Sequence, residues 1–316
     1  MKLNLCFEAF SYCPLMCPSC PQGRREIPRH IDSLDPDLLR KMLQRLAPQC
    51  TINRITLFNY SEPLLHKDLP QLITIAKSYG RVQVATSGDH CSCDLSALAH
   101  SQPDDLTVTL SGMTPATHQL TRPGANWQKT ITFLRTMRSL DCRGLCILWH
   151  RWPHTLAEEN CAKRFGRRLG VPIHYTWGTQ LGQEDLIAAK SNSHQLVSTR
   201  DQLAIARREP NYDCPFQVSE LGINSNGDVR GCSVAATQDI VGNVLRDSVD
   251  TILARKQRFS LCGPCYKSHA YKLACGMSTG VHRAFADAAG GTWSDKLRWA
   301  TERLKKRIWS RLENPR

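Results

Sequence analysis

The chain has 316 residues, room for about two domains of roughly 150 residues each. Its 41% hydrophobic and 22% charged residues are a globular balance, which excludes a disordered chain, a collagen and a coiled coil. Forty-one Lys and Arg against 28 Asp and Glu leave +13, an excess that suits an anionic partner or simply a basic soluble surface.

In chain order, β-rich runs fall at 3–7, 54–58, 82–86, 106–110, 145–149 and 173–177. Helical patterns at 35–47, 68–79, 95–100, 127–139 and 156–169 lie between them. Asp35-Pro36 and Ser61-Glu62-Pro63 are start and turn signals, and Gly80 and Gly170 fall just past helix ends. Strands alternating with helices predict a parallel α/β sheet whose ligands gather at the C-terminal strand ends. From about residue 186 the pattern changes to a helix over 193–208 and then a cysteine-bearing segment of short strands and turns. Without a low-complexity linker, these pieces are expected to dock rather than hang on a tether. No run reaches the roughly 18 apolar residues of a membrane span, and the opening segment, broken by Glu8, is not read as a signal peptide.

Fifteen cysteines are too few for a disulfide miniprotein and many for a cytosolic enzyme. Their odd count and short spacings point to iron–sulfur or zinc ligation in a reducing compartment. Cys13-Pro-Leu-Met-Cys17-Pro-Ser-Cys20 sets three thiols just after the first strand. Three thiolates can hold three irons of a [4Fe–4S] cube and leave the fourth open, a position that S-adenosylmethionine can chelate. Zinc is the alternative, although it usually takes four ligands.

Here the chain resembles the radical S-adenosylmethionine superfamily, and further motifs carry the resemblance. Leu57-Phe-Asn-Tyr-Ser61-Glu62-Pro63 is similar to the family's Gly-Gly-Glu-Pro segment, with Tyr60-Ser61 in place of the glycines. Thr86-Ser87-Gly88 resembles its Thr-Asn-Gly, and Ser111-Gly112 stands where many relatives have Asp-Gly. Arg122 is similar to a basic residue that faces the S-adenosylmethionine carboxylate. The resemblance implies that Glu62, Ser61, Thr86, Ser87, Ser111 and Arg122 bind the cofactor and that Cys13, Cys17 and Cys20 bind the cluster. It also implies a partial (β/α)6 barrel, TIM-like, over 1–185, and a flavodoxin- or ferredoxin-type electron donor.

Cys214, then Gly227-Asp-Val-Arg-Gly-Cys232, then Cys262-Gly-Pro-Cys265 resembles the auxiliary-cluster domains called SPASM and twitch. Four thiolates would close a second [4Fe–4S] cube, or hold zinc. The turn at 224–227 would fold the first two cysteines toward each other. The longer SPASM pattern has cysteines where this chain has Tyr271 and Cys275, and none follows, so one auxiliary cluster of the twitch type is expected within 186–275. Cys275 is left over: a buried thiol, a substitute ligand, or a catalytic hydrogen-atom donor. Cys91-Ser-Cys93 is too tight for a metal pair.

Trp149-His150-Arg151-Trp152-Pro153-His154 follows the fifth strand, where substrate should lie, and Glu158 begins the next helix. His150, Arg151 and His154 suit a polar or anionic substrate, and Glu158 a base or hydroxyl partner, although His154 and Glu158 can equally serve helix ends. Relatives with one auxiliary cluster that act on sugars and aminocyclitols look similar in layout, which implies oxidation or epimerisation. Peptide maturation is the rival, for which no room is seen for an added recognition domain. A non-catalytic iron–sulfur or nucleic-acid-binding protein is the third reading, although no nucleic-acid motif is evident. The tail, 276–316, is basic and amphipathic, either an interfacial helix on an anionic membrane or a packed terminal helix. The expected location is the cytoplasm, with peripheral membrane contact if the first holds.

Overall fold

Six strands, β1 (Lys2–Phe7), β2 (Thr51–Thr56), β3 (Arg81–Thr86), β4 (Asp105–Leu110), β5 (Leu145–Arg151) and β6 (Ile173–Trp177), pair in parallel in sequence order. The structure, a computed structural model, describes residues 1–27, 31–237, 239–276 and 278–290. The sheet does not end with these six. β7 (Glu220–Ile223) lies parallel to β1 on its free edge, and β8 (Asp228–Arg230) and β9 (Ile240–Asn243) extend it antiparallel. The order is β6-β5-β4-β3-β2-β1-β7-β8-β9. The α/β class and the parallel partial barrel are as the sequence implies. The cysteine-bearing segment shares the barrel's own sheet, which runs on through β7 to β9.

Local chemistry explains these elements. In helix Pro36–Leu46 the residues Leu39, Met42, Leu43 and Leu46 recur at helical spacing and are fully buried against the sheet. Each contributes roughly 2 kcal/mol by leaving water. Asp35 caps this helix by accepting from Leu38 N at 2.9 Å. β3 alternates Val82 and Val84, fully buried, with Arg81 and Gln83. β2 begins three residues earlier than the apolar run suggested, because Thr51 N bonds Met1 O and registers the strand on β1. Helix Pro115–Thr121 was not foreseen; its signal is the reciprocal Thr114–Thr117 capping box with Pro115 at the first turn.

Beyond β6, helix Gln183–Ile187 and helix Thr199–Ala206 lead to the second cysteine region. Helix Thr279–Ala288 packs back on the protein, its Phe285 stacked on Trp177 at 5.3 Å and 12°. Among the described residues no helix is long and apolar enough to cross a membrane. The amphipathic stripe beyond residue 290, and with it the membrane expectation, lies outside the described residues.

Candidate functional site

The loop after β1 carries Cys13, Cys17 and Cys20, all partly exposed. Cys20 N donates to Cys17 O at 3.1 Å, and Arg24 N to Cys20 O at 3.0 Å, so the last two thiols sit on one tight turn. Gly23 must be glycine there: a Cβ would fall 2.3 Å from Cys17 O. Met16 N donates to Pro123 O and Glu62 N to Tyr12 O, each at 3.0 Å, which ties the loop to the segments after β4 and β2. Burial, with Glu62 nearby, pushes the Cys13 thiol up to about 12. Burial likewise raises Cys20 to about 11. It raises Cys17 too, against the opposing Arg122 guanidinium. A cationic metal group is what would let three such thiols ionise together.

Glu62 is 2% exposed and sits at the centre of a closed network. Its carboxylate accepts from Leu64 N at 3.1 Å, Ser87 N at 2.8 Å, Ser87 Oγ and Thr86 Oγ1. Burial raises its pKa, and the hydrogen bonds from Ser87 and Thr86 hold it back down. Thus three of the predicted cofactor residues meet at one carboxylate. Ser61 Oγ is beside them, buried and without a protein partner. The network continues to Asp89, which sequence reasoning missed. Asn126 N (2.7 Å) donates to it, and Ser87 Oγ shares its one proton between Asp89 and Glu62; those contacts lower the Asp89 pKa despite burial.

At the end of β4, Ser111 N donates to His118 Nδ1 at 3.2 Å, which leaves the proton of the neutral ring on Nε2, a buried atom with no protein partner. Burial and the nearby Arg122 drive His118 down to about 3. Ser111 Oγ meets His150 Nδ1 at 3.5 Å across to β5. Ser61 Oγ and His118 Nε2 are polar atoms a bound polar ligand would satisfy.

The other substrate candidates part company. His150 and Arg151 are neighbours on β5 and therefore face opposite ways. Arg151 turns into the helix layer, 4% exposed, where its Nε donates to Glu159 at 2.7 Å and its guanidinium lies 4.5 Å from the Tyr175 ring centre. It is not brought together with His150. Glu158 accepts from Met113 N at 2.7 Å and Thr117 Oγ1 at 3.0 Å, clamping the loop after β4. His154 stands edge-on to His194, ring centres 5.8 Å apart, with its Nε2 buried and unpartnered.

The second cysteine set converges. Cys214, Cys232, Cys262 and Cys265 all line one small pocket, together with Gln183, Phe259 and Tyr266. Four pieces of chain build it. Cys214 precedes helix Pro215–Val218 and donates its N–H to Tyr266 Oη at 3.0 Å. The β7–β8 hairpin, turned at Gly227 with φ +88° and closed by Asn224 N to Asp228 O at 2.8 Å, delivers Cys232. Gly231 lets the Phe259 ring pack where a Cβ would sit 2.4 Å away. Helix Cys262–Ser268 supplies the last two from its first turn. Gln183 Nε2 donates to Cys265 Sγ at 2.8 Å. Lys256, fully buried, donates to Gly231 O at 3.0 Å; burial lowers its pKa, and Cys232 and Glu220 oppose the shift.

Four thiols on one cavity wall, with a buried ammonium beside them, fit an anionic metal–thiolate group. Among the described residues no three His, Cys, Asp or Glu side chains close in on a single-ion centre. Cys275 lies behind this wall, packed with Cys214 and Cys265 and the ring of Tyr271. Its thiol is held well above its usual range by Cys214 and by burial. It is grouped with the auxiliary thiols and not with Ser111 and His150. Tyr271 packs among aromatic rings, 4.6 Å from Tyr266 and 5.2 Å from Tyr212.

One segment joins the two cysteine sites. Leu181 N donates to Ser19 O at 2.8 Å, and Asp185, 4% exposed, pairs with Arg24 of the first cysteine loop, with Lys190 at 3.1 Å and with Gln180. Two residues before Asp185, Gln183 reaches Cys265, and its N–H donates to Val234 O at 3.0 Å.

Comparison with known proteins agrees with this geometry. Residues 7–151 match the family model of the radical SAM superfamily. The family implies a [4Fe–4S] cluster and S-adenosylmethionine. No curated protein matches the chain. Among solved structures it is similar to native anSMEcpe with bound AdoMet, at 13% identity and TM-score 0.61, covering 96% of this chain and 98% of that one. It is similar also to Streptococcus suis SuiB bound to the precursor peptide SuiA, at 13% identity and TM-score 0.59, covering 83% and 66%. These likenesses establish a shared fold.

Proposed function

We infer, for a chain whose residues 7–151 form a radical SAM superfamily domain, an enzyme with two iron–sulfur sites that oxidises a polar, hydroxyl-bearing small molecule such as a sugar or cyclitol. The domain boundaries we assign are 1–185 for the barrel and 186–275 for the auxiliary unit. When bound, the first cluster and S-adenosylmethionine supply a 5′-deoxyadenosyl radical able to remove a carbon-bound hydrogen. Cys13, Cys17 and Cys20 would hold that cluster. Glu62, with Thr86 and Ser87 fixing both its oxygens, holds negative charge ready for the cofactor's amino group. Arg122, close enough to Cys17 and His118 to shift both, holds positive charge for its carboxylate. Ser111 stays with the cofactor residues and meets His150, which offers an imidazole for the substrate, and His154 adds a buried ring nitrogen. Arg151 and Glu158 hold these strand ends in place.

The observation that carries the two-site reading is the single cavity lined by Cys214, Cys232, Cys262 and Cys265. A second cluster there gives the second electron an exit and so favours a ketone product. Epimerisation would need a hydrogen donor at the barrel mouth, and the placement of Cys275 behind the auxiliary wall supports oxidation instead. The electron donor is of flavodoxin or ferredoxin type. The test is anaerobic incubation of reconstituted enzyme with S-adenosylmethionine, dithionite and a panel of sugars and cyclitols. Substrate-dependent 5′-deoxyadenosine with a product two hydrogens lighter is expected. Turnover of cysteine- or serine-containing peptides, with none of the polyols, would replace this substrate class.

A further inference from the structure

Cys91 and Cys93 belong to neither ligand set, yet their sulfurs stand 3.5 Å apart in the loop after β3. Cys91 is exposed and Cys93 buried, so one thiol meets solvent and the other backs it. The loop is pinned around them. Ser92 N donates to Leu64 O at 2.8 Å, and Asp94 accepts from Ala97 N at 2.6 Å as the cap of helix Leu95–His100. Cys91 Sγ also donates to Cys93 O at 3.3 Å, which folds its side chain back over the loop. Leu64 N is itself held by Glu62, so the pair stands two hydrogen bonds from the cofactor cradle.

We propose that Cys91 and Cys93 form a reversible dithiol–disulfide couple that exchanges with a low-molecular-weight thiol–disulfide pair of the glutathione type. The Cys91 thiolate attacks the disulfide, its S–S bond breaks, and one thiolate leaves, giving a mixed disulfide on Cys91. Cys93 then loses its proton and attacks the Cys91 sulfur, and the second thiolate leaves. Two electrons pass to the glutathione disulfide, and the two protons go to the thiolates released. The hydrogen bond from Cys93 lowers the Cys91 pKa, and its partner's is raised, in keeping with an attacking and a resolving thiol. A ring closed over one intervening residue is strained, and strained, exposed disulfides are the ones most readily reduced again.

The test equilibrates anaerobic, reconstituted enzyme in glutathione buffers of rising disulfide fraction, quenches with acid, alkylates free thiols and weighs the peptide holding residues 91 and 93. That peptide is expected to lose both alkyl groups and become two hydrogens lighter, reversibly with dithiothreitol. Exposed Cys161, the one cysteine of helix Glu159–Leu169, reaches at most the mixed disulfide. Cys93→Ser should trap glutathione on Cys91, and Cys91→Ser should abolish the light peptide. A wild-type peptide that stays doubly alkylated at every ratio, or Cys91 found joined to Cys161, would overturn the proposal.

Discussion

The first cysteine site rides on one loop, three thiols within eight residues, whereas the second is assembled from four separated pieces of chain around one pocket. The first is partly exposed, as a site must be if a small molecule is to reach it, and backbone bonds tie it to the segments after β2 and β4. The second is lined by Phe259 and Tyr266 and backed by a buried lysine. A three-thiol site leaves a cluster one open position at which a small molecule can bind and react; a four-thiol site fills every position and suits holding and passing charge. The contrast also has a shared member, because segment 180–190 touches both.

That shared member gives the largest expected effect. Asp185→Ala removes the buried acceptor that Arg24, Lys190 and Gln180 share and should cost about 1–3 kcal/mol of stability, although Arg24 keeps Glu26 and Lys190 stays exposed to water. Chemical denaturation should show it, and iron retention should fall at both sites. Loss at one site alone would mean the two are supported independently. Glu62→Ala should act on the first site only. Removing a charged acceptor of several bonds should weaken S-adenosylmethionine binding roughly 100-fold, about 2.7 kcal/mol, in equilibrium dialysis with the auxiliary site intact.

His118 gives a pH-dependent effect. Its folded pKa, near 3, lies below that of the unfolded chain, so the unfolded state binds the proton first. Stability should therefore fall as pH drops below about 6.5, by about 1.4 kcal/mol per unit from this group, and His118→Asn should flatten that part of the acid limb. Lys256→Met should act on the second site only. Without the ammonium beside Cys232 and Cys262, the auxiliary cluster's midpoint potential in a spectroscopic titration should move to more negative values. An unchanged potential with the cluster present would remove Lys256 from the site's electrostatics.

Legibility follows the same contrast. The Cys13–Cys17–Cys20 spacing is local, so the thiols' proximity is written in the sequence. The motifs set Glu62 after β2 and Thr86 and Ser87 at the end of β3, and the structure joins them at one carboxylate. Long-range partners left no signal: nothing near Gln183 marks it as the amide that meets Cys265, and Lys256 reads as an ordinary helix lysine. Arg151 misled because strand alternation, not proximity in sequence, decides which side chain looks into the barrel, and His150 holds that parity. The continuation of the sheet through β7 was hidden because the cysteine segment's strands are only three or four residues long. Such strands carry too few alternations to register a period.

Iron and sulfide analysis of anaerobically reconstituted protein, wild type beside Cys13/Cys17/Cys20→Ala, addresses the central claim most directly. Two independent sites predict about eight irons falling to about four in the triple variant. About four irons in the wild type and about none in the variant would contradict it, leaving the Cys214–Cys265 cavity without a cluster and the proposed oxidation without its electron exit.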